Sequence, residues 1–563
     1  MVLFNPLWVR VRVLALRGQV PRASSACLAE PALPKWLSYL VFWLLSVLIF
    51  KVAAAPQSQA QSPQEPRVNL PYGPVVGKRD ASLPVDSFLG IPYAATPPKR
   101  FTPPVDPAPW KEPLKATEYK TTCPSLYRDN VTTTLYNTPP LEDSEDCLYV
   151  NVFAPAGPGP PGGRAVAFWI YGGNYEFGGS QFHNYDGKYL AAYEDLVVVT
   201  FNYRTSFLGF TMSPDMPLEQ QNLGYLDMRK ALDWVQKNIM FFGGDPRKVT
   251  IFGISSGAIS VKDLMAYPPE PVPFRAAYFQ SREPGLFQPS DNWARLAREL
   301  KCPDTPRERL DCMARQEYPK VHAVMLQKSI RFAPVYDSKT TAKSLVWRVQ
   351  HGKAANIPIL YSAMYNDAAV FVLPRSTYQP VLDQDPKMTA EYAIRQQGGD
   401  PSKVPDFVKA YNVAPRPDPD RTRASVAKIY TDAQFLCPAE GLTRAVAATG
   451  QKAFRFVTNA TFPNTQFIPY IGDAHHTADT PQIWGTYPRD GATEQQIKLS
   501  RYMMRSFANF VKDPQKGPGW SDVTSGKVQL VGSNGGFGGY PVEESEIDSR
   551  CAIFRDAIAA VGG

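Results

Sequence analysis

Residues 251–260 read IFGISSGAIS, and within them Gly253-Ile254-Ser255-Ser256-Gly257 fits the pattern G-x-S-x-G. Two glycines around a serine arise readily by chance and usually mark a tight turn. The setting of this pair says more. The run KVTIFGI (248–254) is short, apolar and rich in β-formers, as a buried strand is. The run GAISVKDLMAY (257–267) that follows can open a helix. A serine on a sharp strand-to-helix turn projects its hydroxyl from the end of a sheet, and small neighbours make room for that turn.

Similar signals repeat on both sides. AVAFWIY (165–171), LVVVTFNY (196–203) and IPILYSA (357–363) read as buried strands. YLDMRKALDWVQKNI (225–239) has helical period: Leu226, Ala231, Leu232, Val235 and Ile239 share a face, with charges opposite. Strands alternating with helices make an α/β chain, read here as one large mixed-sheet domain. GSNGGFGG (532–539) is far from any strand–helix junction and reads as a surface loop, not a phosphate cradle.

Composition narrows the class. A hydrophobic fraction of 44% with 20% charged residues supports a substantial core. The 55 prolines, spread along the chain, favour long ordered loops over a helical array. The net charge of +8 is concentrated at one end: residues 1–55 carry six basic side chains against Glu30. The remainder is close to neutral, which excludes a nucleic-acid-binding footprint.

The same N-terminal segment holds WLSYLVFWLLSVLIF (36–50), without a charge. With KVAAA it reaches the length of a membrane span, and the basic residues before it direct the N-terminus to the cytosol. Ala53, Ala54 and Ala55 also offer a signal-peptidase site. Residues 1–55 therefore read as a basic segment plus a signal-anchor or a signal peptide, the 35 residues before the apolar run favouring the anchor. Residues 56–66 read as a polar linker and 67–563 as the large α/β domain. Seven cysteines without a C-x-x-C pair suit an exported protein rather than a zinc or redox site. Sequons at Asn130 and Asn459 agree with the secretory pathway, the product being secreted or a type II membrane protein.

A serine hydroxyl needs a neighbouring base to attack a carbonyl at neutral pH. The strand–turn–helix setting resembles the nucleophile elbow of α/β-hydrolases, whose order along the chain is serine, acid, histidine. Of five histidines, only the pair His475 and His476 follows a suitable acid loop. Asp367 stands just past IPILYSA, where the end of a sheet strand presents it.

Several long motifs in order resemble the type-B carboxylesterase/cholinesterase family, fungal carboxylesterases and lipases included, from residue 68 to the end. They are FLGIPYAATPPKRFTPPV (88–105), EDCLYVNVFAP (145–155) and GYLDMRKALDWVQKNIMFFGGDPRKVTIFG (224–253). The resemblance implies an α/β-hydrolase fold, with a large, mostly parallel mixed sheet flanked by helices. It implies His476 rather than His475 as the base, nine residues before Gly485 in HTADTPQIWG. It places Asp367 where the family usually has glutamate, and pairs Cys123 with Cys147 and Cys302 with Cys312. It also allows a Cys437–Cys551 bridge, leaving Cys27 unpaired.

By the same resemblance the oxyanion hole comes from the N–H groups of Gly173, Asn174 and Ser256. The family usually has glycine at 174, so the asparagine side chain is expected to fill space beside the acyl carbonyl and restrict φ. Ile254 stands where a glutamate is common, which argues against a cationic substrate. The implied activity is carboxylic ester hydrolysis through an acyl-enzyme, without cofactor or metal, on a small-molecule ester. Two alternatives share the topology: a non-catalytic adhesion or binding domain, and a lipase preferring long acyl chains. The segment 121–146, which would shape the acyl and lid region, does not discriminate between esterase and lipase.

Overall fold

The computed structural model describes residues 65–126, 138–139, 141–282, 290–372, 385–404, 406–465 and 474–561. The apolar run 36–50, residues 56–64 of the linker, Cys27 and Asn130 lie outside the described residues. No helix among the described residues is long and apolar enough to cross a membrane.

Among the described residues, eleven strands make one sheet. They are β1 (Lys78–Arg79), β2 (Val85–Pro92), β3 (Tyr149–Pro155), β4 (Arg164–Ile170), β5 (Val197–Phe201), β6 (Gly244–Ile254), β7 (Ala276–Gln280), β8 (Ile359–Met364), β9 (Ala453–Thr458), β10 (Lys527–Val531) and β11 (Gly539–Glu543). Their order across the sheet is β11-β10-β9-β8-β7-β6-β4-β5-β3-β2-β1. The run from β5 to β10 is parallel, and antiparallel strands close both edges. Strands β4, β5, β7, β8 and β9 are buried at every position. A strand so placed needs cover on both faces, which is why these segments read as unbroken apolar runs rather than alternating ones. The mixed sheet flanked by helices is the α/β-hydrolase architecture expected from the sequence.

Helix α1 (Leu223–Asn238) and helix α2 (Ser256–Ala266) flank β6 in the chain. α2 packs on β6 and β7 and is buried along its whole length. α1 corrects one detail of the periodic reading. Asp227 lies on the buried side, fully excluded from solvent, and its two carboxylate oxygens take Arg204 Nη2 at 2.7 Å and Nε at 2.8 Å. Leu226, assigned to the apolar face, is only half-buried. A two-pronged guanidinium partner lets a carboxylate sit where period alone expects a hydrocarbon.

GSNGGFGG is a connection, joining β10 to β11. All three disulfides form: Cys123–Cys147, Cys302–Cys312 and Cys437–Cys551.

The register sets the stage for chemistry. Gln280, the last residue of β7, pairs with Ile254 on β6 and with Ser362 on β8. The carboxyl ends of three adjacent parallel strands are thus level, and the residues just beyond them meet.

Candidate active site

At the end of β6 the chain turns sharply into α2. Ser255 takes φ 55° and ψ −127°, a conformation seldom adopted by residues other than glycine. Its N–H donates to Gln280 O (3.0 Å), and its carbonyl accepts from Ile259 N (3.0 Å) as the first bond of the helix. The flanking glycines follow from the packing. A Cβ on Gly253 would lie 2.6 Å from the Gly257 backbone and 2.7 Å from Ile170 O. A Cβ on Gly257 would lie 2.1 Å from Ile170 O and 2.7 Å from Tyr171 O. The turn is so close to β4 that no side chain fits at position 253 or 257.

The loop after β4 arrives at the same place. A Cβ on Gly172 would come within 2.6 Å of Ile254 O and 3.0 Å of Ser255 Cβ. Three consecutive left-handed residues follow: Gly173 at φ 120°, Asn174 at 55° and Tyr175 at 60°. The Asn174 side chain is exposed and its Nδ2 donates to Glu176 Oε2 (3.0 Å), so the amide is tied back along its own loop. Asparagine tolerates the left-handed region better than most residues, which is how a side chain is accommodated here. The tyrosine hydroxyl of Tyr175 donates to Ser256 O (2.9 Å) and lies 2.8 Å from Tyr225 Oη, fastening the loop to α2 and α1. Ser256 itself is buried.

Asp367 follows β8 in a short 3-10 turn and is fully excluded from solvent. Its Oδ1 lies 2.5 Å from His476 Nδ1. Its Oδ2 accepts from Ser281 Oγ (2.6 Å) and Met364 N (2.8 Å). His476 N also donates to Asp367 O (3.0 Å), so backbone and side chain hold the pair together. The aromatic rings of Phe371 and Phe435 lie 5.3 and 5.4 Å from the imidazole, tilted against it. Phe435 sits in a π-helical turn, Asp432–Leu436.

Sequence reasoning missed the residues that join these parts. Ser281, next after β7, bonds the acid, while Gln280 accepts from the serine's backbone. Gln280 Nε2 in turn donates to Asp479 Oδ1 (2.8 Å) and Thr480 Oγ1 (3.1 Å). Asp479 is fully buried, and its other oxygen has no hydrogen-bond partner among the described residues. Burial, reinforced by the charge of Asp367, pushes its carboxyl up to about 7. The only sequence signal for Asp479 is its place three residues after His476.

The arrangement joins a strained serine at a helix start, a buried carboxylate–imidazole pair and a loop of upturned backbone. Such parts serve nucleophilic attack on a carbonyl.

Comparisons agree with this chemistry. The model of the carboxylesterase family matches residues 64–534. The chain is 28% identical to acetylcholinesterase of Bungarus fasciatus over 81% of each chain. It is 30% identical to carboxylesterase 1F of Mus musculus over 80% of this chain and 86% of that one. Among solved structures it is similar to a PNB esterase, with a TM-score of 0.72 and 26% identity, covering 87% of this chain and 99% of that one. The chain belongs to the carboxylesterase family and is a carboxylic ester hydrolase.

Proposed function

We propose that ester cleavage runs as two-step acyl transfer, with Ser255 as nucleophile, His476 as base and Asp367 as the group that orients the imidazole. The observation that carries this reading is the buried contact between Asp367, just past the carboxyl end of β8, and His476, on the side of the sheet where Ser255 leaves β6. With its Nδ1–H donated to Asp367, the imidazole is held in the tautomer whose Nε2 can accept the serine proton. Ser255 Oγ bonds to the ester carbon as His476 takes its proton, and the N–H groups of Gly173, Asn174 and Ser256 receive the carbonyl oxygen's negative charge. His476 then protonates the departing alkoxide. In the second half it takes a proton from water, whose oxygen attacks the acyl-enzyme; the acid leaves as the proton returns to Ser255. Loss of one oxyanion donor costs on the order of 10²–10³ in turnover.

The substrate reading rests on what surrounds the imidazole. Ile254 brings no charge to the elbow, and Phe371 and Phe435 present hydrocarbon beside His476. A neutral ester with an apolar acyl group fits these neighbours. Three disulfides suit an oxidising compartment, and residues 1–55 supply the signal or anchor that would deliver the chain there. Glycosylation at Asn459 would displace its bond to Ser533 Oγ (3.2 Å).

The test uses the full chain and p-nitrophenyl esters of graded acyl length, with Ser255→Ala and His476→Ala as controls. The expected result is hydrolysis in the wild type, fluorophosphonate labelling at Ser255, and loss of both in the serine variant. Equal activity in wild type and Ser255→Ala would sink the triad. A wild type inert to every ester and to the probe would favour the non-catalytic binding domain.

A further inference from the structure

The loop read above as the oxyanion loop carries an unusual charge pair. Glu176 is 2% exposed, and its carboxylate accepts from Asn174 Nδ2 (3.0 Å) and from Arg331 Nη1 (3.0 and 3.3 Å to its two oxygens). Arg331 lies 155 residues away, on a segment whose neighbours Ile330 and Phe332 are buried in a separate apolar cluster with Trp293 and Met325. Its own side chain is 55% exposed. The stretch from Gly173 to Tyr175 holds two non-glycine left-handed residues, Asn174 and Tyr175, a conformation that persists only where the surroundings impose it. Tyr175 is fastened by its hydroxyl and by Ser206 N donating to Tyr175 O (2.6 Å). On the other side of Asn174 the restraints are Glu176 N and Phe177 N, both donating to Gly173 O, and the side-chain relay.

We infer that Arg331 and Glu176 are positioning residues: through the Asn174 side chain they fix the backbone N–H of Asn174 toward the developing oxyanion. The inference rests on the reading of Asn174 as an oxyanion donor. Where the family usually has a glycine, this chain has an asparagine whose amide is held by a buried carboxylate. A left-handed glycine needs no side-chain support; an asparagine there gains one. The carboxylate is in turn neutralised from a different part of the fold. Burial pushes the Glu176 carboxyl up even with Arg331 beside it, so loss of the guanidinium favours the protonated carboxyl, which is a weaker acceptor for the Asn174 amide. An exposed pair on its own contributes little, which is why the burial of one partner decides the matter.

Because Arg331 is half-exposed, Arg331→Leu spares the core. It is expected to lower kcat about tenfold with KM for a neutral ester changed less than about twofold, the pattern of a contact felt mainly in the transition state. Arg331→Lys, which keeps the charge but not the fork, should recover part of the loss. Amide exchange across residues 171–180 should speed up in Arg331→Leu and not in Arg331→Lys. In an Asn174→Gly background, which removes the amide from the relay, the further effect of Arg331→Leu on kcat should shrink to within about twofold. The same tenfold loss in both backgrounds, or unchanged exchange in Arg331→Leu, would overturn the relay. A wild type without esterase activity would sink the catalytic reading alone, since the exchange measurement still decides whether Arg331 holds the loop.

Discussion

Ser281 Oγ donates to Asp367 Oδ2 at 2.6 Å, while the other oxygen of the same carboxylate faces His476 Nδ1. The acid is held by three groups at once, because Met364 N also reaches Oδ2 at 2.8 Å. An orienting carboxylate is useful only while it keeps its angle to the imidazole. Ser281→Ala removes one restraint of several, so kcat on a p-nitrophenyl ester should fall by only about 3- to 10-fold, with KM little changed. Asp367→Asn upsets the tautomer itself and should cost on the order of 10⁴. Comparable losses in the two variants would mean that Ser281 does more than steady the acid.

Gly257 gives a test of steric demand against helix propensity. Alanine in a helix gains about 1 kcal/mol over glycine. Here its Cβ would lie 2.1 Å from Ile170 O and 2.7 Å from Tyr171 O, and backbone atoms cannot rotate away. Overpacking of this kind costs about 1–3 kcal/mol or more, so Gly257→Ala should be destabilising and should also displace the loop that leaves β4. Gly441, in the helix Cys437–Ala448, has nothing within 4 Å of its Cβ position. Gly441→Ala should therefore stabilise by up to about 1 kcal/mol. Denaturant midpoints should move in opposite directions.

The contrast between what was readable and what was not follows the range of each constraint. The elbow was legible because Gly253, Ser255 and Gly257 answer to one short turn, and the strands because burial on both faces leaves unbroken apolar runs. Asp367 was legible from its place after a strand. Ser281, Gln280 and Asp479 were not, since their meeting depends on the register of β6, β7 and β8, which no local pattern encodes. Period also misplaced Asp227, whose burial depends on Arg204 in a preceding loop. Glu176 and Arg331 form a pair only once two distant segments are folded against each other.

The disulfides should differ in what they contribute. In the chain-entropy account a crosslink stabilises more as the loop it closes lengthens. Cys437–Cys551 spans 114 residues and Cys302–Cys312 spans 10. The account gives about 4.8 kcal/mol for the first and about 2.7 for the second. Double alanine variants of each pair, compared by denaturant unfolding, should rank in that order. Cys437 and Cys551 are also both buried, so the loss of packing adds in the same direction.

Asp479 supplies the pH dependence. Its carboxyl is pushed up from 3.8 to about 7, first by burial and then by the charge of Asp367; the amide of Gln280 and the nearby His476 act the other way. The folded chain thus holds this proton more tightly than the unfolded chain does. Its contribution to stability is fully present below about pH 4, falls as pH climbs toward 7 and levels off above that. A shift of about three units sets a ceiling of roughly 4 kcal/mol on the change. Asp479→Asn keeps an oxygen for Gln280 Nε2 to donate to and removes the charge. It should match the wild type near pH 3.5, begin to exceed it above pH 4 and exceed it most near pH 8.5, where the wild type holds a buried carboxylate beside Asp367. Parallel pH curves for the two proteins, measured by urea midpoint, would show that Asp479 is not the group responsible.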